Sequence, residues 1–470
     1  MSELYKSTLE QLLRKNYKHD VGNVIDVLPF LSKRTRALRD RFNKVLGDYV
    51  RNLNNLKLDS SSIKRQEFKV SEEENEFSEH IADKVEFSSE DDKHDFVRFL
   101  DQYLFNKEEI KLIHPYLFNY IKVEKKDKNE YSKYAQFMSD TLVINKQELM
   151  SVFNNKETND IMTELVLSQL DILKETEEKE RKYMPLLKPL SQLYQEDVVY
   201  LSKYKDYFLT SFPLITHFYV FMYTCQLVVK FERFTSANYE KLDPLYFTLE
   251  WESLSKRRKA ADHLESFRYI KGRLENLFPH IHTLSHLSHN KANASIEEIE
   301  SREKSINVLT YTDIKSLVDK GELNEEKLFE EIKEWIQMYS DIFNIEHQAT
   351  STNLSEAMEE LFNRLKTGMS STVSKKYGGN VEDLGANQFI KNRGSLGQVL
   401  NIKHDFLLLL TAVSVKDTRI PLNELFNQFE MRGIVLDRYS KKEVVKLLDN
   451  LNIIDKKSDS GDAQYVKPIL

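Results

Sequence analysis

The sequence predicts a mainly α protein: a multi-helix body followed by a C-terminal winged-helix domain, the helix-turn-helix variant that adds a β-hairpin. Three observations predict it. The 470 residues include only 12 Gly and 9 Pro, few for the tight turns of a many-stranded sheet. Apolar residues recur three and four apart on charged segments such as "IMTELVLSQLDILKETEEKERKY" and "EEKLFEEIKEWIQMYSDIF". From residue 404 onward the pattern becomes three short helices and a hairpin, the winged-helix order.

Bulk properties exclude several function classes. The chain is 40% hydrophobic and 30% charged, enough for real cores and unlike a disordered chain. A net charge of −7 means that nucleic-acid contact requires a local basic patch. Cys225 is the only cysteine, so no disulfide framework and no cysteine-based zinc site is expected, and a reducing cytoplasm is the natural compartment. The N-terminus lacks the apolar core of a secretion signal. Tyr207 to Val229 carries no Asp, Glu, Lys or Arg, but Pro213, Thr216, His217, Thr224 and Gln226 interrupt it. Its aromatics lie in the middle rather than at the ends, so it reads as a buried central helix and not a membrane span.

Four regions follow along the chain. Residues 1–95 form an N-terminal helical region whose charge switches from basic to acidic. Lys33 to Lys69 is net +7 and Glu72 to Asp95 is net −9. In the basic block Leu38, Phe42, Val45 and Leu46 have helical spacing with arginines between them. Such blocks usually face each other or are solvated, and the sharper alternative is a basic helix touching phosphate or a partner. Residues 96–365 read as a central domain that is helical throughout.

Residues 366–403 contain six of the twelve glycines and read as a linker or functional loop. A phosphate-cradling loop needs a glycine followed by lysine, and no glycine here has one. A looser backbone clamp on phosphate remains open, with Lys391 and Arg393 supplying charge.

Residues 404–470 are the predicted winged helix. "HDFLLLLTAVSV" is a buried first helix. Pro421 opens the second, with Leu422, Leu425, Phe426 and Phe429 inward and Gly433 as a left-handed cap. Ser440 and Glu443 form a capping box for the third, whose inward stripe is Val444, Leu447, Leu448 and Leu451. "NIIDKK", a turn and "AQYVK" make a two-stranded hairpin. Lys442, Lys446 and Asn450 face outward, with Lys441 near the helix start and Lys456 and Lys457 on the hairpin. Lysine binds phosphate and asparagine can read adenine. Ten basic residues balance ten acidic ones over this region, so a protein-docking role stands beside the DNA-binding one.

Catalytic motifs are weak. His282, His286 and His289 share a helical face, yet zinc metallopeptidases place a general-base glutamate between histidines paired four apart, and Thr-Leu-Ser separates His282 from His286. They remain weak metal candidates, and no cofactor is expected. Arg14/His19 and Arg258/His263 both match the spacing of a helical ribonuclease pair, which shows how cheap the pattern is. Glu124 and Lys126 lack the strand and upstream aspartate of a metal-dependent nuclease.

Three strings carry a resemblance: "HDVGNVIDVLPFLSKRTRALRDRFNKVLGDYVR", "FIKNRGSLGQVLNI" and "GIVLDRYSKKEVVKLLDNLNIIDKKSDSGDAQYVKPIL". They resemble the DptG (DndG) family of bacterial DNA phosphorothioation-dependent restriction systems. The match lies at the two ends, and the three strings span under a fifth of the chain. It implies an anti-phage defence role beside DptF-like and DptH-like subunits, which would carry the ATPase and helicase signatures. The resulting expectation is a non-catalytic subunit that contacts double-stranded DNA and helps assemble a restriction complex, without membrane contact. The alternatives are a pure protein–protein adaptor and a cryptic nuclease.

Overall fold

The computed structural model describes residues 2–16, 19–20, 22–58, 76–106, 109–121, 127–168, 170, 173–254, 266–301, 305–346, 350–456 and 464–470. It is mainly α, with small sheets of two to four strands. The expected four regions are not its compact units. One unit comprises Met1–Asp40, Arg181–Leu190 and Phe218–Leu470, and the other Arg41–Glu180 and Ser191–His217. The helix Lys205–Glu232 contributes residues to both. Among the described residues it alone is long and apolar enough to cross a membrane, and 83% of its most apolar window is buried within the protein.

The smaller unit is helical around an aromatic core. Phe153 and Phe212 lie 5.0 Å apart between ring centres, and Phe118 meets Phe212 at 5.0 Å. Several polar groups inside it are paired. Tyr49 and Tyr194 share a hydrogen bond of 3.0 Å, and Arg51 donates to the carbonyls of Asn119 and Ile121 at 2.6 and 3.0 Å. Arg51 therefore belongs to the core, although the sequence places it in a basic block. The helix of that block is Leu46–Leu53, preceded by a 3-10 turn, Phe42–Val45. From the acidic block, Glu90, Asp91 and Asp92 open the helix Glu90–Leu104, where carboxylates suit the helix dipole.

In the larger unit the N-terminal segment is laced along several elements. Glu331 accepts from the amides of Glu3 and Leu4, both at 2.7 Å. Arg34 makes a two-point ion pair with Asp383, with Nη2 to Oδ1 at 2.8 Å.

The glycine-rich stretch is mostly not a loop. Leu354–Gly368 and Ser371–Gly385 are helices. A Cβ at Gly378 would collide with the Leu274 carbonyl, and one at Gly385 with the Phe221 ring. These glycines permit close approach within a helix, whereas glycine content alone suggested chain flexibility. Only residues 390–402 behave as a hairpin: strands Ile390–Asn392 and Gln398–Ile402 flank a turn in which Gly394 and Gly397 have positive φ.

A second correction concerns the body, which is not helical throughout. Leu245–Leu249 is a fully buried strand at the centre of a four-stranded sheet. It pairs in parallel with Gln398–Ile402 on one side and with Ile434–Val435 on the other. "LYFTL" follows Pro244 and is a short apolar run with aromatic and β-branched residues, a strand signal that the surrounding helical pattern masks.

The C-terminal segment has helices His404–Val415, Leu422–Met431 and Arg438–Asn450. Its sheet has three strands: Gln464–Val466 lies between Ile454–Lys456 and Ile420–Pro421, antiparallel to both. The expected hairpin thus gains a third strand from the start of the second helix. Gly433 has φ +80°, as its position after that helix requires. Leu425, Phe426 and Phe429 are buried as expected. Leu451 is not: it follows the last helical turn and is 43% exposed.

Candidate nucleic-acid interface

The third C-terminal helix begins earlier than the capping-box pattern suggests. Asp437 is the cap, and its Oδ1 accepts from the amides of Tyr439 and Ser440 at 2.9 and 2.8 Å. Ser440 is buried in the first turn, where its hydroxyl donates to the Glu252 carboxylate at 3.0 Å. A carboxylate reaching two orphan amides satisfies the helix start, which frees Ser440 for a tertiary bond.

This shift exposes a residue that sequence reasoning missed. Arg438 lies in the first turn and is exposed, as are Lys442 and Lys446. Positions 438, 442 and 446 are four apart and so form one row along the helix. Starting the helix at Ser440 leaves Arg438 outside it, which hides the row. Asn450 is exposed at the far end. Lys441 turns back toward the second helix: its Nζ is 3.7 Å from Glu430 and 5.0 Å from the centre of the Phe426 ring. Lys456 lies on the strand Ile454–Lys456, its side chain outside the described residues, as is all of Lys457.

The two loop candidates are engaged internally. Arg393 donates to the carbonyls of Leu249, Glu250 and Glu252 at 2.6, 3.0 and 3.3 Å. Lys391 donates to the Glu250 carbonyl at 3.1 Å. Both cations cap the end of the buried strand, so the hairpin is a structural brace. A phosphate there would compete with these bonds.

The weak metal candidates are buried and not on a helix surface. His282 and His286 lie in the helix Leu277–Leu287, while His289 lies beyond its C-cap. His286 Nδ1 accepts from the Trp335 indole at 3.3 Å, and His289 Nδ1 donates to the Ser285 carbonyl at 2.8 Å. His19 stacks on Phe343 at 4.5 Å and hydrogen-bonds Tyr339 at 2.6 Å. Burial pushes the imidazoles down, His19 to about 4 and His282 to about 3. Among the described residues no group of three or more His, Cys, Asp or Glu side chains could hold a metal ion.

Of the ribonuclease-like pairs, Arg14 pairs with Glu10 at 2.7 Å while His19 faces Tyr339. Arg258, His263, Glu124 and Lys126 lie outside the described residues.

The arrangement amounts to a short exposed row of cations on a helix anchored at its buried face. No protein-family model and no curated protein matches this chain.

Proposed function

We propose that this chain is a non-catalytic subunit of a bacterial DNA phosphorothioation-dependent restriction complex. In this reading the C-terminal segment is a winged helix that contacts double-stranded DNA, and the rest of the protein supports assembly with DptF-like and DptH-like subunits in the cytoplasm. The resemblance at the two chain ends supplies the system. The observation that carries the DNA contact is the exposed row Arg438, Lys442 and Lys446 on the third helix. Such a row suits phosphate positioning, and exposed Asn450 suits a base edge. A second reading, a protein-docking winged helix, is favoured by Met431 and Leu451, which are 52% and 43% exposed.

Fluorescence anisotropy on one duplex, with and without a backbone phosphorothioate, tests this across a salt series. Affinity that falls with salt through counterion release, and that Lys442→Glu with Lys446→Glu removes, supports the DNA contact. A difference between the two duplexes would assign sulfur sensing to this chain. Absence of binding at low salt would make the chain an adaptor.

A further inference from the structure

We propose that Trp251 is a stacking platform for an unpaired nucleobase, so that the DNA engaged by this protein includes a single-stranded or frayed nucleotide beside duplex. This inference rests on the reading of the third helix as a DNA contact and adds the kind of DNA.

The chain has two tryptophans, and they differ sharply. Trp335 is wholly buried, whereas Trp251 is 40% exposed. Trp251 sits on the turn that follows the buried strand Leu245–Leu249, and this turn is tightly held. The Leu249 amide donates to Glu252 Oε1 at 2.9 Å, and the Glu250 amide donates to the Ile402 carbonyl at 2.9 Å. Arg393 ties down the carbonyls of Leu249, Glu250 and Glu252. The polar groups of the turn are thus engaged from below, and the indole is left as its outward side chain. The exposed His404 ring lies 5.8 Å from it between centres, at 57°.

Two arguments favour a base as the occupant. First, an aromatic ring fixed by its backbone loses little freedom on binding, so its contact area converts well into affinity. Second, the turn is bonded to the proposed DNA helix. Glu252 receives the Ser440 hydroxyl at 3.0 Å, one turn or less from Arg438 and Lys442 in the sequence. The turn that bears the indole is therefore joined by a hydrogen bond to the helix that bears the cations. One surface element can supply a π-face for a base and the other charge for phosphate. A base pair inside a duplex offers edges and not faces, so the base that stacks must be unpaired.

The test uses the full-length protein with a labelled blunt duplex, the same duplex carrying a short oligothymidine tail, the tail alone, and a matching oligouridine. Base–aromatic stacking predicts that Trp251→Ala weakens binding of the tailed duplex roughly 5- to 150-fold. Blunt-duplex binding should stay the same, and Trp251→Tyr should restore most of the lost affinity. In Trp335→Phe, where Trp251 is the only indole, the tail should quench emission to saturation. The wild-type and Trp251→Ala affinities suffice if that variant does not fold. Equal loss with the oligouridine would extend the ligand to single-stranded RNA. Unchanged binding of the tailed duplex and the tail in Trp251→Ala would overturn the proposal and leave Trp251 to a protein partner. Loss of blunt-duplex binding in Lys442→Glu with Lys446→Glu, with tail quenching intact, separates the helix contact from the stacking site. A wild-type protein that ignores blunt duplex but binds the tail through Trp251 would sink the duplex reading alone.

Discussion

The Tyr246 hydroxyl donates to Asp437 Oδ2 at 2.9 Å, joining the central buried strand to the cap of the last helix. The other oxygen of the same carboxylate holds the helix start through the amides of Tyr439 and Ser440. One side chain thereby orients the exposed row Arg438, Lys442 and Lys446 relative to the sheet. Asp437→Ala should lower stability by about 1–2 kcal/mol, the usual cost of a lost cap with a further hydrogen bond. Asp437→Asn should recover most of it, because an amide oxygen still accepts. Urea unfolding of the three proteins decides this, and equal stabilities would show that the cap contributes nothing.

Arg438 should act as a phosphate contact like its two lysine neighbours. Each contact removed lowers the slope of log affinity against log salt by roughly 1. Arg438→Ala and Lys446→Ala should each show that drop, and Lys441→Ala, whose cation faces Glu430, should show little. The readout is anisotropy at several salt concentrations.

Gly378 should not tolerate a side chain. Alanine is the better helix former, so propensity alone predicts stabilisation in the helix Ser371–Gly385. The added methyl would strike the Leu274 backbone carbonyl, which cannot turn aside as a side chain would. Gly378→Ala should therefore destabilise by about 1–3 kcal/mol. A rise in melting temperature would contradict this packing.

The buried imidazoles should make the protein sensitive to acid. His19, His282, His286 and His289 are all pushed below their ordinary value, with burial the largest cause in each. The field of neighbouring histidines adds to the effect on His282 and His286, while the Ser285 carbonyl and Asp20 oppose it at His289. In the unfolded chain these rings bind protons below about pH 6.5, and in the folded protein they resist doing so. Their contribution is fully present above that pH and is lost as pH falls toward the folded values near 4 and 3. Stability should drop by up to about 2 kcal/mol per fully buried ring by roughly pH 5. His282→Leu should flatten the profile measured by denaturant unfolding, and an unchanged slope would exclude His282 as a contributor.

Local periodicity made much of the fold legible. Helical spacing pointed to Glu325–Phe343, the buried faces of the last three helices and the left-handed Gly433, because backbone hydrogen bonds within a helix tie residues three and four apart. It also placed Lys442 and Lys446 outward. What the sequence could not declare were choices settled between distant residues. The buried strand Leu245–Leu249 takes both its partners from more than a hundred residues away. The glycines of Ser371–Gly385 are read correctly only once Leu274 and Phe221 press against them. Arg393 looked free to meet phosphate and Ser440 looked like a helix cap until the turn at Glu252 claimed them both. Composition and spacing alone therefore established a helical protein with a three-helix C-terminal end. The tertiary structure decided which polar groups face solvent, because a buried carbonyl or carboxylate left without a donor costs more free energy than an exposed cation left in water.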